Sequence, residues 1–225
     1  MEELGLKKLV VFDLDGTLIN SSSQIVEAVL QSRKDLGWDP ADKDFLTTKI
    51  GLPAKELFCD LNLGEEEIEK GVSTFRHHLR NLKLNPRDSY QGALELLQSL
   101  RGNGQKIAVA TNKPLELARR ALSETGLLEL IDHVVGVDGL PPKPDPAVIR
   151  ACLSHFQINS SVAVMVGDRC EDMEAARAIG VSCIGVNQGA HSQAELLQAG
   201  ASQVLANLSG ILEKVREGWN FEHLQ

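Results

Sequence analysis

What most constrains this chain is an alternation. Short apolar, β-branched runs at residues 8–12, 107–110, 133–135, 162–166 and 183–186 are separated by stretches with helical periodicity, at 92–100, 114–122, 146–156 and 172–179. Runs this short, apolar at successive rather than alternate positions, suit strands covered on both faces. Strand–helix–strand alternation therefore predicts an α/β fold with a parallel sheet between two helical layers. Right-handed crossovers put the C-terminal end of every strand on one edge, where open α/β sheets bind ligands.

One stretch breaks the alternation. From residue 19 to residue 83 there is no strand pattern. Ser21 and Gln24 have capping-box spacing, and Ile25, Val26, Val29 and Leu30 follow on one helical face, with Gly37 just past its end. Helical patterns resume at 43–49, 54–61 and 65–82, and Trp38 is expected to pack. The expected organisation is a core of residues 1–18 and 84–225 interrupted by an all-helical insertion over 19–83. That insertion is either a cap over the strand edge or a layer packed permanently on the core.

Lys plus Arg number 23 and Asp plus Glu 31, giving a net charge of −8. An acidic chain without a basic stripe is a poor partner for nucleic acid or for an anionic membrane. Any anion it binds must be held by a local device. Cys59, Cys152, Cys170 and Cys183 form no CxxC pair, which argues against a zinc site and a disulfide framework and for a reducing, cytoplasmic setting. Residues 9–12 are too short for a signal-peptide core, and no run approaches the ~18 apolar residues that span a bilayer.

The chemistry-bearing residues fall at the strand ends. Asp13-Leu14-Asp15-Gly16-Thr17 follows the first strand. Gly16 lets the chain turn so that both carboxylates can approach one ligand, one as nucleophile and the other moving a proton. Taken alone, Asp-x-Asp-Gly reads more readily as a turn. Thr111-Asn112 follows the second strand and could donate to phosphate oxygens, cap the next helix, or do both. Lys143 stands among four prolines in residues 141–146, a stiff segment that could fix an ammonium against phosphate or carboxylate. Gly167-Asp168 precedes Asp172, whose spacing from Asp168 brings both acids to one face of a helix start, as hard oxygen ligands or as helix-capping acids. Each signal is weak alone; four on one edge, all suited to phosphoryl transfer, point together.

These residues resemble the haloacid dehalogenase superfamily. Asp13-Leu-Asp-Gly-Thr17, Ala110-Thr-Asn-Lys-Pro114, Lys143-Pro144 and Gly167-Asp168 with Asp172 are similar to its four motifs in order. The resemblance covers nearly the whole chain, is strongest to phosphoglycolate phosphatases, and places the helical insertion where the family carries a cap. It implies a Rossmann-like three-layer core. It implies that Asp13 attacks phosphorus, that Asp15 protonates the leaving oxygen and then activates water, and that Lys143 with Thr111 and Asn112 holds the phosphoryl oxygens. It implies Mg²⁺ bound by Asp13, the backbone carbonyl of Asp15 and Asp168, with Asp172 acting mainly on a bound water or Lys143. Dehalogenating members resemble this chain without a second motif aspartate, so Asp15 favours phosphate chemistry.

The implied activity is a Mg²⁺-dependent phosphomonoesterase on a small phosphorylated metabolite, with 2-phosphoglycolate foremost and pyrophosphate, nucleotides or sugar phosphates as alternatives, the last including phosphomutase chemistry. The rival class is a phospho-signalling or silent binding protein. A receiver domain, however, is about half this length and carries its phosphorylated aspartate on a later strand. The chain is expected to act as a monomer or homodimer. In the insertion, Ile50-Gly51-Leu52-Pro53 resembles a cap specificity loop, and Gly51 with Lys55 is the expected leaving-group contact, ahead of Lys49, Arg76, His77 and His78. Arg169 is expected to face solvent, Cys170 to be incidental, and residues 187–191 to depart from the aromatic-glycine stretch of relatives.

Overall fold

The computed structural model describes residues 8–219 and 221. Its centre is a six-stranded parallel sheet: β1 (Leu9–Phe12), β2 (Lys106–Ala110), β3 (His133–Val135), β4 (Ala163–Gly167), β5 (Ser182–Val186) and β6 (Gln203–Leu205), in the order β3-β2-β1-β4-β5-β6. The strand pattern follows from side chains that alternate between two apolar layers. Val10, Phe12, Ile107, Val109, Val164 and Val166 join one buried cluster, and Leu9, Val11, Ala108, Ala110, Ala163 and Met165 the other. Helices α4 (Ala93–Gly102), α5 (Leu115–Glu124) and α9 (Leu208–Arg216) cover the first face. The second is covered by α6 (Ala147–Phe156), α7 (Cys170–Arg177) and α8 (Gln193–Ala199). The three-layer core expected from the sequence is what forms.

Between β1 and α4 the chain is helical: α1 (Ser22–Asp35), α2 (Lys43–Thr48) and α3 (Glu65–Asn81), with a 3₁₀ turn at Ala54–Phe58. These helices bury a cluster of their own, including Ile25, Val29, Leu46, Leu57, Phe58 and Phe75. Trp38 meets Phe58 edge-on with centroids 5.9 Å apart and lies over Gly71, where a Cβ would come within 2.9 Å of the indole. The buried Arg33 holds the insertion together from within, donating to Asp60 and, at 3.0 Å, to the Leu57 carbonyl.

The structure differs from the sequence reading in several places. Helices α8 and α9 lie beyond the elements expected from the sequence, as does strand β6, whose Gln203–Leu205 is three residues long and only half-buried. Val162 belongs to a 3₁₀ turn (Ser160–Val162), so β4 starts one residue later than expected. Ser21 makes no side-chain cap on α1; its hydroxyl donates instead to Asp15 at 2.5 Å. No helix among the described residues is long and apolar enough to cross a membrane.

Candidate active site

β1 lies between β2 and β4, and Asp13 continues its pairing, donating its N–H to the Val166 carbonyl at 2.9 Å. That places Asp13 at the middle of the C-terminal edge. From the neighbouring β2 end comes the segment 111–114, and Lys143 enters from the proline-rich segment after β3. Its ammonium, 2% exposed, donates to Asp13 Oδ1 at 2.6 Å, to Asp172 Oδ1 at 2.6 Å and to the Ala110 carbonyl at 2.9 Å. One cation thus spends its three donors on two carboxylates and a backbone oxygen. Asp168 completes the group: Asp13, Asp168 and Asp172 each offer an oxygen within 4.8 Å of the others, all buried.

Asp168 is held from two sides. Thr17 Oγ1 donates to Oδ1 at 2.7 Å and the Ala190 N–H to Oδ2 at 2.9 Å. Gly16, at φ 93°, lets the chain turn directly beneath this carboxylate, since a Cβ there would lie 2.5 Å from Asp168 Oδ2. Residues 187–191, a departure from relatives in the sequence, prove to be the cradle for Asp168; the His191 ring accepts from the Cys170 N–H at 3.2 Å.

Three buried carboxylates face one lysine, so charge is in excess. Burial pushes Asp13 up to about 7 against the opposing pull of Lys143, and burial with the nearby Asp13 pushes Asp168 up to about 6. Asp172 is raised by the same burial, and Lys143 is raised too, because the attraction of Asp13 and Asp172 outweighs its own burial. All the donors of the acidic cluster are carboxylate oxygens, the set a hard divalent cation prefers over zinc or copper. The residues fit such an ion. A carboxyl whose folded-state pKa is raised favours folding below its unfolded value and loses that contribution as pH rises through the folded one. Metal-free protein should therefore lose stability between about pH 4 and pH 7, and an added divalent cation, which needs ionised carboxylates, should restore it. Thermal unfolding is expected to show a larger Mg²⁺-induced rise in midpoint near pH 8 than near pH 5.5; an equal rise at both would contradict the assignment.

The other expected residues are placed differently. Asp15 does not share the Asp13 cluster with its carboxylate. It pairs with Lys113, whose ammonium donates to Oδ1 at 2.5 Å and Oδ2 at 2.7 Å, and with Ser21. Lys113 is 9% exposed and was missed, though it stands beside Thr111 and Asn112 in the sequence. Neither Thr111 nor Asn112 caps α5: its Leu115 N–H is taken by Asp138 at 2.6 Å. Asn112 instead accepts from the Lys143 N–H at 2.8 Å and donates to the Gly51 carbonyl at 3.0 Å, so its amide ties the insertion to the lysine segment rather than standing free for phosphate. Thr111 Oγ1 accepts from the Lys113 N–H at 3.2 Å.

A cleft opens between insertion and core, lined by Asp15, Lys49, Gly51, Arg76, Asn112 and Lys113, with Ile25, Leu57, Phe75 and Leu117 among its apolar walls. Gly51 is where the sequence reading put it. Lys55 is not: it is exposed and lines an outer surface hollow with Glu65, Glu69, Arg80 and Arg76, the last of which also lines the cleft. Lys49 and Arg76 are the insertion's cations that line the cleft. Arg169 does not face solvent; at 4% exposure it is buried against the insertion.

A carboxylate–lysine cluster at the C-terminal edge of a parallel sheet, beneath a helical insertion, defines a class of hydrolase. Residues 10–186 match the family model for haloacid dehalogenase-like hydrolases. The chain is 33% identical over 208 residues to the probable phosphatase IndB of Dickeya dadantii, covering 90% of each. It is 32% identical to a phosphoglycolate phosphatase of Rhodospirillum rubrum, covering 92% of this chain and 90% of that one. Among solved structures, a predicted phosphatase from Clostridium acetobutylicum superposes with a TM-score of 0.84 at 30% identity, over 94% of this chain and 99% of that one. The chain belongs to the haloacid dehalogenase-like hydrolases.

Proposed function

We propose that this protein is a Mg²⁺-dependent phosphomonoesterase that works through an aspartyl phosphate on Asp13, with residues 19–83 as its cap. The observation that carries the reading is Lys143 bridging Asp13 and Asp172, with Asp168 alongside, all buried at the sheet edge. Phosphoryl transfer mostly requires positioning and neutralised charge. Lys143 orients the Asp13 oxygen for attack on phosphorus and offsets the charge of a dianion beside it. Asp13, the Asp15 backbone carbonyl and Asp168 would hold the cation, with Asp172 acting through Lys143; when bound, the cation supplies neutralisation of the phosphoryl charge. Thr111 donates its hydroxyl to a phosphoryl oxygen. Asp15, which takes up a proton once it parts from Lys113, passes that proton to the leaving oxygen, and then takes one from the water that attacks the phosphorus of the acyl phosphate, releasing phosphate and returning Asp13 as a carboxylate.

The substrate is a small phosphorylated metabolite, with 2-phosphoglycolate the leading candidate. Its carboxylate suits Lys49 and Arg76 in the cleft, and relatives bearing the phosphoglycolate phosphatase name match most of the chain. The reducing, cytoplasmic setting remains part of this proposal. Phosphate release with Mg²⁺ across phosphoglycolate, pyrophosphate, nucleotides and sugar phosphates is the test; preference for pyrophosphate, a phosphoanhydride, or no release from any of them would overturn it. Asp15→Asn is expected to accumulate phosphorylated protein, visible as a phosphate-mass adduct on intact protein, while steady turnover falls about 10²–10⁴-fold. Unimpaired turnover would remove Asp15 from its role.

A further inference from the structure

Arg169 has no part in the chemistry above, yet it is a buried cation. It leaves the chain between Asp168 and the start of α7 and runs away from the carboxylates into the insertion. Its Nη1 donates to the Ile50 carbonyl at 2.6 Å and to the Thr48 carbonyl at 3.3 Å, and Glu171 accepts from its Nε at 3.2 Å. Thr48 ends α2, so the guanidinium satisfies a carbonyl left without a helical partner. The stem also shapes the loop. Gly51 adopts φ 85°, and a Cβ on it would lie 2.8 Å from Arg169 Cδ, so the loop closes onto the arginine only because that position is glycine.

The next carbonyl, that of Gly51, accepts from Asn112. Two core side chains, Asn112 from the segment after β2 and Arg169 from the segment after β4, therefore grip backbone oxygens of the insertion loop that walls the cleft beside Asp15. Arg169 is joined to Asp168 and reaches Asp172 through its own N–H, which donates to Asp172 Oδ2 at 3.1 Å. The loop over the leaving group and the turn carrying the acids are thus tied by one residue. A guanidinium suits this task because its fork can serve two carbonyls and a carboxylate at once, which a lysine ammonium does less well.

We infer that Arg169 is a positioning residue that latches the 48–51 loop onto the Asp168–Asp172 turn, so that the cap wall is set only when that turn is formed. It selects for substrates whose leaving group the loop must hold and leaves phosphoryl chemistry itself untouched. This rests on the phosphomonoesterase reading, and the test separates the two.

Arg169→Met, which keeps the stem and loses every donor, and Arg169→Lys, which keeps the charge, are compared with the unaltered protein. Two readouts are taken: amide hydrogen exchange across residues 46–53, and KM and kcat for the best carboxylated substrate against p-nitrophenyl phosphate. Arg169→Met is expected to speed exchange of that loop about tenfold, the value of one charge-assisted hydrogen bond, with β1 and β4 amides unchanged. KM for the carboxylated substrate is expected to rise about tenfold while p-nitrophenyl phosphate turnover changes less than about twofold, and Arg169→Lys should recover part of both effects. Unchanged loop exchange in a folded Arg169→Met variant overturns the latch, as does an equal loss on both substrates. If the unaltered protein hydrolyses neither, the phosphatase reading fails and the exchange comparison alone decides the latch. If Arg169→Met does not fold, Arg169→Lys carries the same comparison, and unaltered exchange and KM there overturn the proposal.

Discussion

Asp13→Asn is expected to abolish turnover, by at least about 10⁴-fold, while leaving the fold intact. The amide is the same size as the carboxylate and can still accept from Lys143, whose ammonium sits 2.6 Å from Oδ1. What it lacks is a nucleophilic oxygen to form the acyl phosphate. Trapping by beryllium fluoride, which builds a phosphate mimic on a carboxylate oxygen, should be lost in step. Thermal stability should hold or rise, because burial disfavours the ionised form of Asp13 and pushes it up to about 7, so a neutral side chain relieves that cost. Retained turnover, or retained fluoride trapping, would sink the mechanism.

Lys143→Met is expected to damage both chemistry and stability. The lysine serves two buried acids at once, so its removal leaves Asp13 and Asp172 without their counter-charge. Removing one partner of a buried ion pair costs about 3–5 kcal/mol. The cost must depend on pH. Both carboxyls are already raised by burial, with Lys143 holding them down; without it they rise further and keep their protons to higher pH. In metal-free protein the defect should thus be small near pH 5, where neutral acids need no partner, and large near pH 8. Urea unfolding at both values measures it; a defect independent of pH would mean that the lysine acts by packing alone. Turnover should fall about 10²–10³-fold, the usual loss for one preorganised electrostatic contact.

Much of this site was legible because each residue sits at a strand end. Apolar runs such as Leu9–Phe12 betray buried strands, and a parallel sheet sends all their ends to one edge, so Asp13, Lys143, Asp168 and Asp172 converge without any knowledge of side-chain contacts. What was not legible depends on how the insertion seats on the core. Arg169 was expected at the surface, and Lys113 drew no role of its own, because long basic side chains are usually exposed. Their burial comes from partners distant in sequence, Asp15 for one and the carbonyls of Thr48 and Ile50 for the other. Lys55 failed in the reverse direction: close to Gly51 in sequence, it lies within the 3₁₀ turn and lines the outer hollow rather than the cleft. Asp15 and Asp13 are neighbours whose shared turn suggested a shared ligand, yet each has a lysine of its own.

The position of β1 also bears on how the polypeptide comes off the ribosome. Its register pairs Leu9 with Lys106 on one side and with Ala163 on the other, so the strand leading into Asp13 is made well before either of the strands that flank it. Contacts of such long sequence separation are slow to close. The helices of the insertion need no such wait, since their apolar cluster draws only on residues 25–82. During synthesis a helical knot of chain can therefore collapse beside an exposed, wholly apolar Leu-Val-Val-Phe tetrapeptide, the kind of segment that holding chaperones bind.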